Sequence, residues 1–172
     1  ARYRTVGART IDVADRLGLY EASVVHGSTA AKSRDLAGTL PDAFAGASSV
    51  LAVLAALGAC ALFAWGRHDG ERLVASFAAA VVGFLAFSKV FSPQYAEWAL
   101  FLVPLVAGRE GLAAAALLGL AFLLAELWFH SYSRLYEVGG LVWLVLLRDL
   151  AFVACFGLLA ARLARTRGVA HA

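Results

Sequence analysis

The chain has 172 residues, 62% of them hydrophobic and 16% charged, and a formal net charge of +3. With a mean hydropathy of +0.76, this apolar share exceeds that of an ordinary soluble domain, so lipid is the expected solvent for most of the chain. The basic residues lie between and beyond the apolar runs, where they act as topology signals, which argues against nucleic acid as a partner despite a pI near 9.1.

Cys60 and Cys155 both sit inside apolar runs without a CxxC or His neighbour. They read as packing residues, and no metal or cofactor is expected. The first residue is Ala1 and methionine is absent, from which the chain is expected to be the C-terminal part of something longer.

Residues 1–43 are polar and mixed, with Arg2, Arg4, Arg9, Asp12, Asp15 and Arg16 among small and apolar residues. Val13, Leu17, Tyr20 and Val24 recur at three- and four-residue steps, which predicts a short amphipathic helix on a membrane face. His26-Gly27-Ser28 and Gly38 to Pro41 read as turns. The plainer reading of the whole segment is a solvated extracytoplasmic connector.

A transmembrane bundle is expected over 44–165, followed by a basic tail at 166–172. Phe44 to Trp65 is the first apolar run, with Ala52, Ala56, Cys60 and Ala64 predicted as a close-packing stripe. Arg67 to Arg72 reads as a tight charged loop, and Leu73 to Phe91 as the second run, stopped by Ser92-Pro93. Ala96 to Gly108 is short for a span and carries Pro104. Gly111 to Phe129 repeats the small-residue stripe at Gly111, Ala115 and Gly119. Trp128, Phe129, Tyr132 and Tyr136 suit an interfacial loop, and Gly139 to Ala161 is the last run. The fold class is therefore all-α, a polytopic bundle of four to five apolar helices after a polar, partly helical N-terminal segment.

Basic residues beside spans prefer the cytoplasm. With five spans the inside holds Arg67, Arg72, Arg109, Arg162, Arg165 and Arg167, against Lys32, Arg34, Lys89 and Arg134 outside. If the Pro104 segment re-enters, the inside holds Lys32, Arg34, Lys89, Arg109 and the three tail arginines. Charge alone slightly prefers this four-span arrangement.

Lys89-Val90-Phe91-Ser92-Pro93-Gln94-Tyr95 places a cation, a hydroxyl, an amide and a phenol at the junction of two apolar runs. A lysine near hydrocarbon is costly and marks a candidate site for an anionic, membrane-borne ligand. The alternative is a helix anchor followed by a Ser-Pro stop. Arg148, beside Asp149 in the last run, reads as seeking a partner apart from Asp149, either Glu126 or a lipid phosphate. His130, with Ser131, Tyr132 and Arg134, is either a ligand contact or part of an aromatic belt.

The Lys89 to Tyr95 run, followed by Glu97-Trp98 and the Leu102-Val103-Pro104-Leu105 stretch, resembles the C-terminal half of polyprenol-phosphate-sugar-dependent glycosyltransferases of family 87, in the GT-C superfamily. The arginine-bearing Leu146 to Leu150 stretch is similar to the last helix of such proteins. The resemblance covers roughly 44–165. The family's Arg, four residues, Glu-Ser motif is not present in the N-terminal segment.

The resemblance implies a multi-pass cell-membrane protein that moves a sugar from a polyprenyl-phosphate donor to an envelope glycolipid or glycan acceptor. It implies donor binding by Lys89, Ser92, Gln94, Tyr95, His130 and Arg148, with Lys89 on the extracytoplasmic face and five spans. The family's catalytic base lies in an upstream loop, so no catalytic residue is assigned here. Competing classes are a small transporter or channel subunit using Glu126 and Arg148, and a structural membrane module.

Overall fold

A computed structural model describes residues 21–25, 33–37, 39–66, 68–88, 93–129 and 141–166. The chain runs through a hairpin of β1 (Glu21–Val25) and β2 (Ser33–Ala37) and then α1 (Thr39–Ala64), α2 (Gly70–Phe87), α3 (Pro93–Leu102), a 3₁₀ turn (Val103–Leu105), α4 (Gly108–Phe129) and α5 (Leu141–Arg165). Four of these helices are long and apolar enough to cross a membrane. The protein is an all-α membrane-type bundle preceded by a two-stranded antiparallel hairpin that pairs Glu21 with Ala37 and Val25 with Ser33.

The hairpin corrects one expectation. Val24 lies in a strand, because Glu21 to Val25 places β-branched and small residues where a ladder partner is available. Val13, Leu17, Tyr20 and the His26 turn lie outside the described residues. Thr39 to Pro41 is not a turn either. It forms the first turn of α1, where the missing N–H of Pro41 would have had no intrahelical acceptor.

α2 is the central helix. Asp69, in extended conformation, caps its start by accepting from Arg72 N–H at 2.9 Å. Ala75, Ala78, Ala79 and Val82 are fully buried, and their small side chains let α1, α5 and α3 approach α2 closely. At Gly83 a Cβ would fall 2.8 Å from Phe156 of α5 and 2.9 Å from Ala55 of α1, so this three-helix crossing needs glycine. The helix ends at Phe87, earlier than the Phe91 expected, with Ser88 extended and its N–H bonded to Phe84 O.

The close-packing stripes follow a different line from a strict four-residue repeat. On α1 the buried residues are Ala52, Ala55 and Ala59, while Cys60 and Ala64 are exposed. On α4 they are Gly111, Ala114, Leu118, Ala121, Leu124 and Ala125, while Gly119 is exposed. Steps of four drift by about 40° each around a helix of 3.6 residues per turn, so a contact seam must alternate steps of three and four. Gly111 is the member of the predicted stripe that matters most, since a Cβ there would collide with the Val106 carbonyl.

The short α3 segment runs from one end of the bundle to the other. Arg162 of α5 bonds both Glu71, at the start of α2, and the Ala107 carbonyl, at the end of the 3₁₀ turn. Arg165 pairs with Glu110 at the start of α4. Since α2 leads away from that end and Ala107 has returned to it, the Pro93 to Leu105 segment runs back to the clasped end of the bundle, though it is not among the four helices long and apolar enough to cross a membrane. The segment measures about 21 Å, from ten α-helical and three 3₁₀ residues.

Candidate functional site

One end of the bundle is held by a clasp of arginines. Arg72, expected in a loop, is instead in the first turn of α2 and only 5% exposed. Its guanidinium donates to Leu163 O at 2.9 Å, to Leu62 O at 2.7 Å and to the Thr166 hydroxyl. Leu62 and Leu163 belong to the last turns of α1 and α5, where carbonyls lack intrahelical donors and the helix dipole favours a cation. Gly66 carries no Cβ where this guanidinium passes. Gly108, with φ +86°, turns the chain into α4 under Arg162, a backbone conformation for which glycine is suited.

At the other end lie the start of α3 and the buried Arg148. Lys89, Ser92 and His130 lie outside the described residues, and Gln94 and Tyr95 occupy the first turn of α3. Arg148 is 6% exposed, two turns into α5. α2 and α5 run antiparallel from the Arg72 to Leu163 contact. Counting the same fifteen residues from that contact along each helix, roughly 22 Å, brings Arg148 level with Phe87 at the end of α2. The structure thus sets the buried cation at the depth where α2 stops and the Lys89 to Ser92 link begins.

Arg148 does not avoid its neighbour. Its Nε and Nη2 donate to Asp149 Oδ1 at 3.0 and 2.7 Å, because the long guanidinium arm can fold back across one helical step even though adjacent Cβ atoms diverge. Asp149 keeps 48% of its side chain exposed. At the same depth the Ser48 hydroxyl of α1 donates to the Phe87 carbonyl, a partner that sequence patterning missed because a lone serine in an apolar run looks like filler. Cys155 is buried, its thiol 3.3 Å from Ala114 O, and Cys60 is exposed; both are free. Among the described residues no group of three His, Cys, Asp or Glu is placed to hold a metal ion.

No protein-family model, no curated protein and no solved structure matches this chain. The geometry therefore defines a multi-pass membrane-type bundle with one clasped, charged end and one end that holds a buried cation beside the break between α2 and α3.

Proposed function

We propose that the chain is the donor-binding part of an integral membrane glycosyltransferase of the cell envelope, similar to family 87 of the GT-C superfamily. The observation that carries this reading is the depth of Arg148, a buried guanidinium level with the helix break that leads into Lys89. A polyprenyl-phosphate sugar has one phosphodiester at the membrane surface and a long apolar tail. A cation below headgroup depth beside exposed aliphatic helix faces suits both parts.

In this reading the Lys89 ammonium and Arg148 guanidinium offset the phosphodiester charge, and Arg148 supplies a planar donor set suited to phosphate oxygens. Ser92, Gln94, Tyr95 and His130 donate to phosphate or sugar oxygens. The acceptor hydroxyl oxygen bonds to the sugar C1 as the C1–O bond to phosphate breaks, and polyprenyl phosphate departs. The hydroxyl proton goes to a base outside this chain. The cations act most strongly as negative charge develops on the departing phosphate.

Sidedness supports the same reading. Arg72, Arg162 and Arg165 gather with Arg109 at the clasped end, which the preference of basic residues assigns to the cytoplasm. The Lys89 end then faces the extracytoplasmic leaflet, where lipid-linked sugars present their head groups to GT-C enzymes.

The test is transfer by the full-length protein from polyprenyl-phosphate mannose and polyprenyl-phosphate arabinose. Lys89→Ala is expected to abolish transfer while leaving the detergent melting temperature within a degree or two of wild type. Unchanged turnover would remove the donor-site assignment.

A further inference from the structure

Among the described residues, Arg72, Arg109, Arg162 and Arg165 gather at the clasped end, and Asp69, Glu71 and Glu110 are the acids that meet them. Each of these acids is already engaged. Asp69 accepts from the Arg72 backbone N–H, Glu71 from Arg162 and Glu110 from Arg165. Arg72 is buried against helix-end carbonyls. Arg109, exposed in the first turn of α4, has no partner among the described residues, and it carries the positive charge left over at this end.

A second exposed guanidinium stands close by. Glu110, next to Arg109 in the chain, holds Arg165 of α5, whose side chain stays 61% exposed. The two cations therefore sit at one level on helices that pack side by side. The level itself is that of the membrane surface, since Trp65, just past the end of α1, is 72% exposed there and suits the headgroup region. One turn further in, α4 is apolar. Leu112 is exposed, and Ala113, Ala116 and Leu120 follow Arg109 at steps of four, three and four along one exposed face.

We propose that the clasped end binds an anionic phospholipid, its phosphate held by Arg109 and the outward N–H groups of Arg165, and its acyl chains laid over Leu112, Ala113 and Ala116. Charge complementarity selects this occupant. A guanidinium presents donors in a plane that matches phosphate oxygens. A zwitterionic lipid brings its own ammonium beside the phosphate and gains less from a surplus cation. Each basic residue near a membrane surface is worth roughly a fivefold change in binding to anionic lipid. Glu110 tempers the site by occupying Arg165, and the site is independent of any sugar donor at the other end of the bundle.

Native mass spectrometry of the full chain in detergent tests it, with phosphatidylglycerol and, separately, phosphatidylcholine of the same chain length as probes. The wild type is expected to retain phosphatidylglycerol at a roughly fivefold lower concentration than phosphatidylcholine. Arg109→Gln should remove that preference, and Arg109→Lys should keep most of it. Glu110→Gln should act in the opposite direction: with Arg165 released, phosphatidylglycerol binds roughly fivefold more tightly and phosphatidylcholine as before. Because the two neutralising changes have opposite signs, a loss of folding in one variant does not imitate the pattern. Equal retention of the two lipids by the wild type, a preference that Arg109→Gln leaves in place, or one that Glu110→Gln fails to raise would overturn the site.

Discussion

At the clasped end, arginines are spent on protein: Arg72 on the terminal carbonyls of α1 and α5, Arg162 on Ala107 and Glu71, and Arg165 on Glu110. At the opposite end Arg148 leans on the adjacent Asp149, which is half open to its surroundings. The cations have similar chemistry, yet the first set closes helix ends while the second sits where a helix has stopped short. The difference teaches that a buried arginine in an apolar bundle is read by what surrounds it: terminal carbonyls mark a structural role for Arg72, whereas Arg148 has a half-exposed acid and the end of a helix beside it, the setting on which the proposed donor site rests.

Removing Arg72 should give the largest effect on stability. Arg72→Leu strips a charged donor from two helix C-termini and Thr166 at once, and each hydrogen bond to a charged group is worth about 1.5–3 kcal/mol. A net loss on the order of 3 kcal/mol is expected, seen as a fall of roughly 6–12 °C in the melting temperature in detergent. Arg72→Lys should recover little, since an ammonium lacks the planar reach to acceptors on two helices. A variant as stable as wild type would break the contrast between the two ends.

Arg148→Leu should behave differently. Asp149 is half exposed, so it stays accessible when the guanidinium leaves, and the shorter leucine side chain keeps apolar atoms against the bundle wall. A stability change of about 1 kcal/mol or less is expected, well below that of Arg72→Leu, because replacing a charge by a well-packed apolar group is near neutral when its partner remains accessible. Donor-dependent transfer by the full-length protein should nonetheless fall sharply. A stability loss as large as that of Arg72→Leu would place Arg148 among the structural arginines.

Much of the bundle was legible in the sequence, since the long apolar runs reflect local chemistry. The seams were not. A four-residue repeat is easy to see in Ala52, Ala56, Cys60 and Ala64, but the neighbours that decide which alanines are buried lie on other helices. Arg72 looked like a loop residue because its acceptors, Leu62 and Leu163, are backbone groups and leave no mark on the sequence. The return of the Pro93 to Leu105 segment was hidden for a similar reason: its length is ambiguous, and only the contact of Ala107 with Arg162 says where it arrives. Of the site, the position of Arg148 in the last run was readable, and its depth relative to the end of α2 was not.

The smallest effect should come from Arg165, and it sharpens the reading of the clasp. Arg165 and Glu110 are paired, but their side chains are 61% and 37% exposed, so Coulomb attraction is screened and two flexible side chains lose freedom in meeting. Arg165→Gln is expected to cost about 0.5 kcal/mol or less at low salt. Raising the salt to about 1 M shortens the screening length to roughly 3 Å and should erase even that difference. Arg72, buried and bonded to carbonyls, should keep its contribution under the same salt, because little ionic atmosphere reaches it. Equal salt sensitivity at both positions would mean that the clasp is a surface charge cluster. Loss at Arg165 alone would show that it is built from the inside outward, from helix-end carbonyls to Arg72 and only then to the exposed pairs.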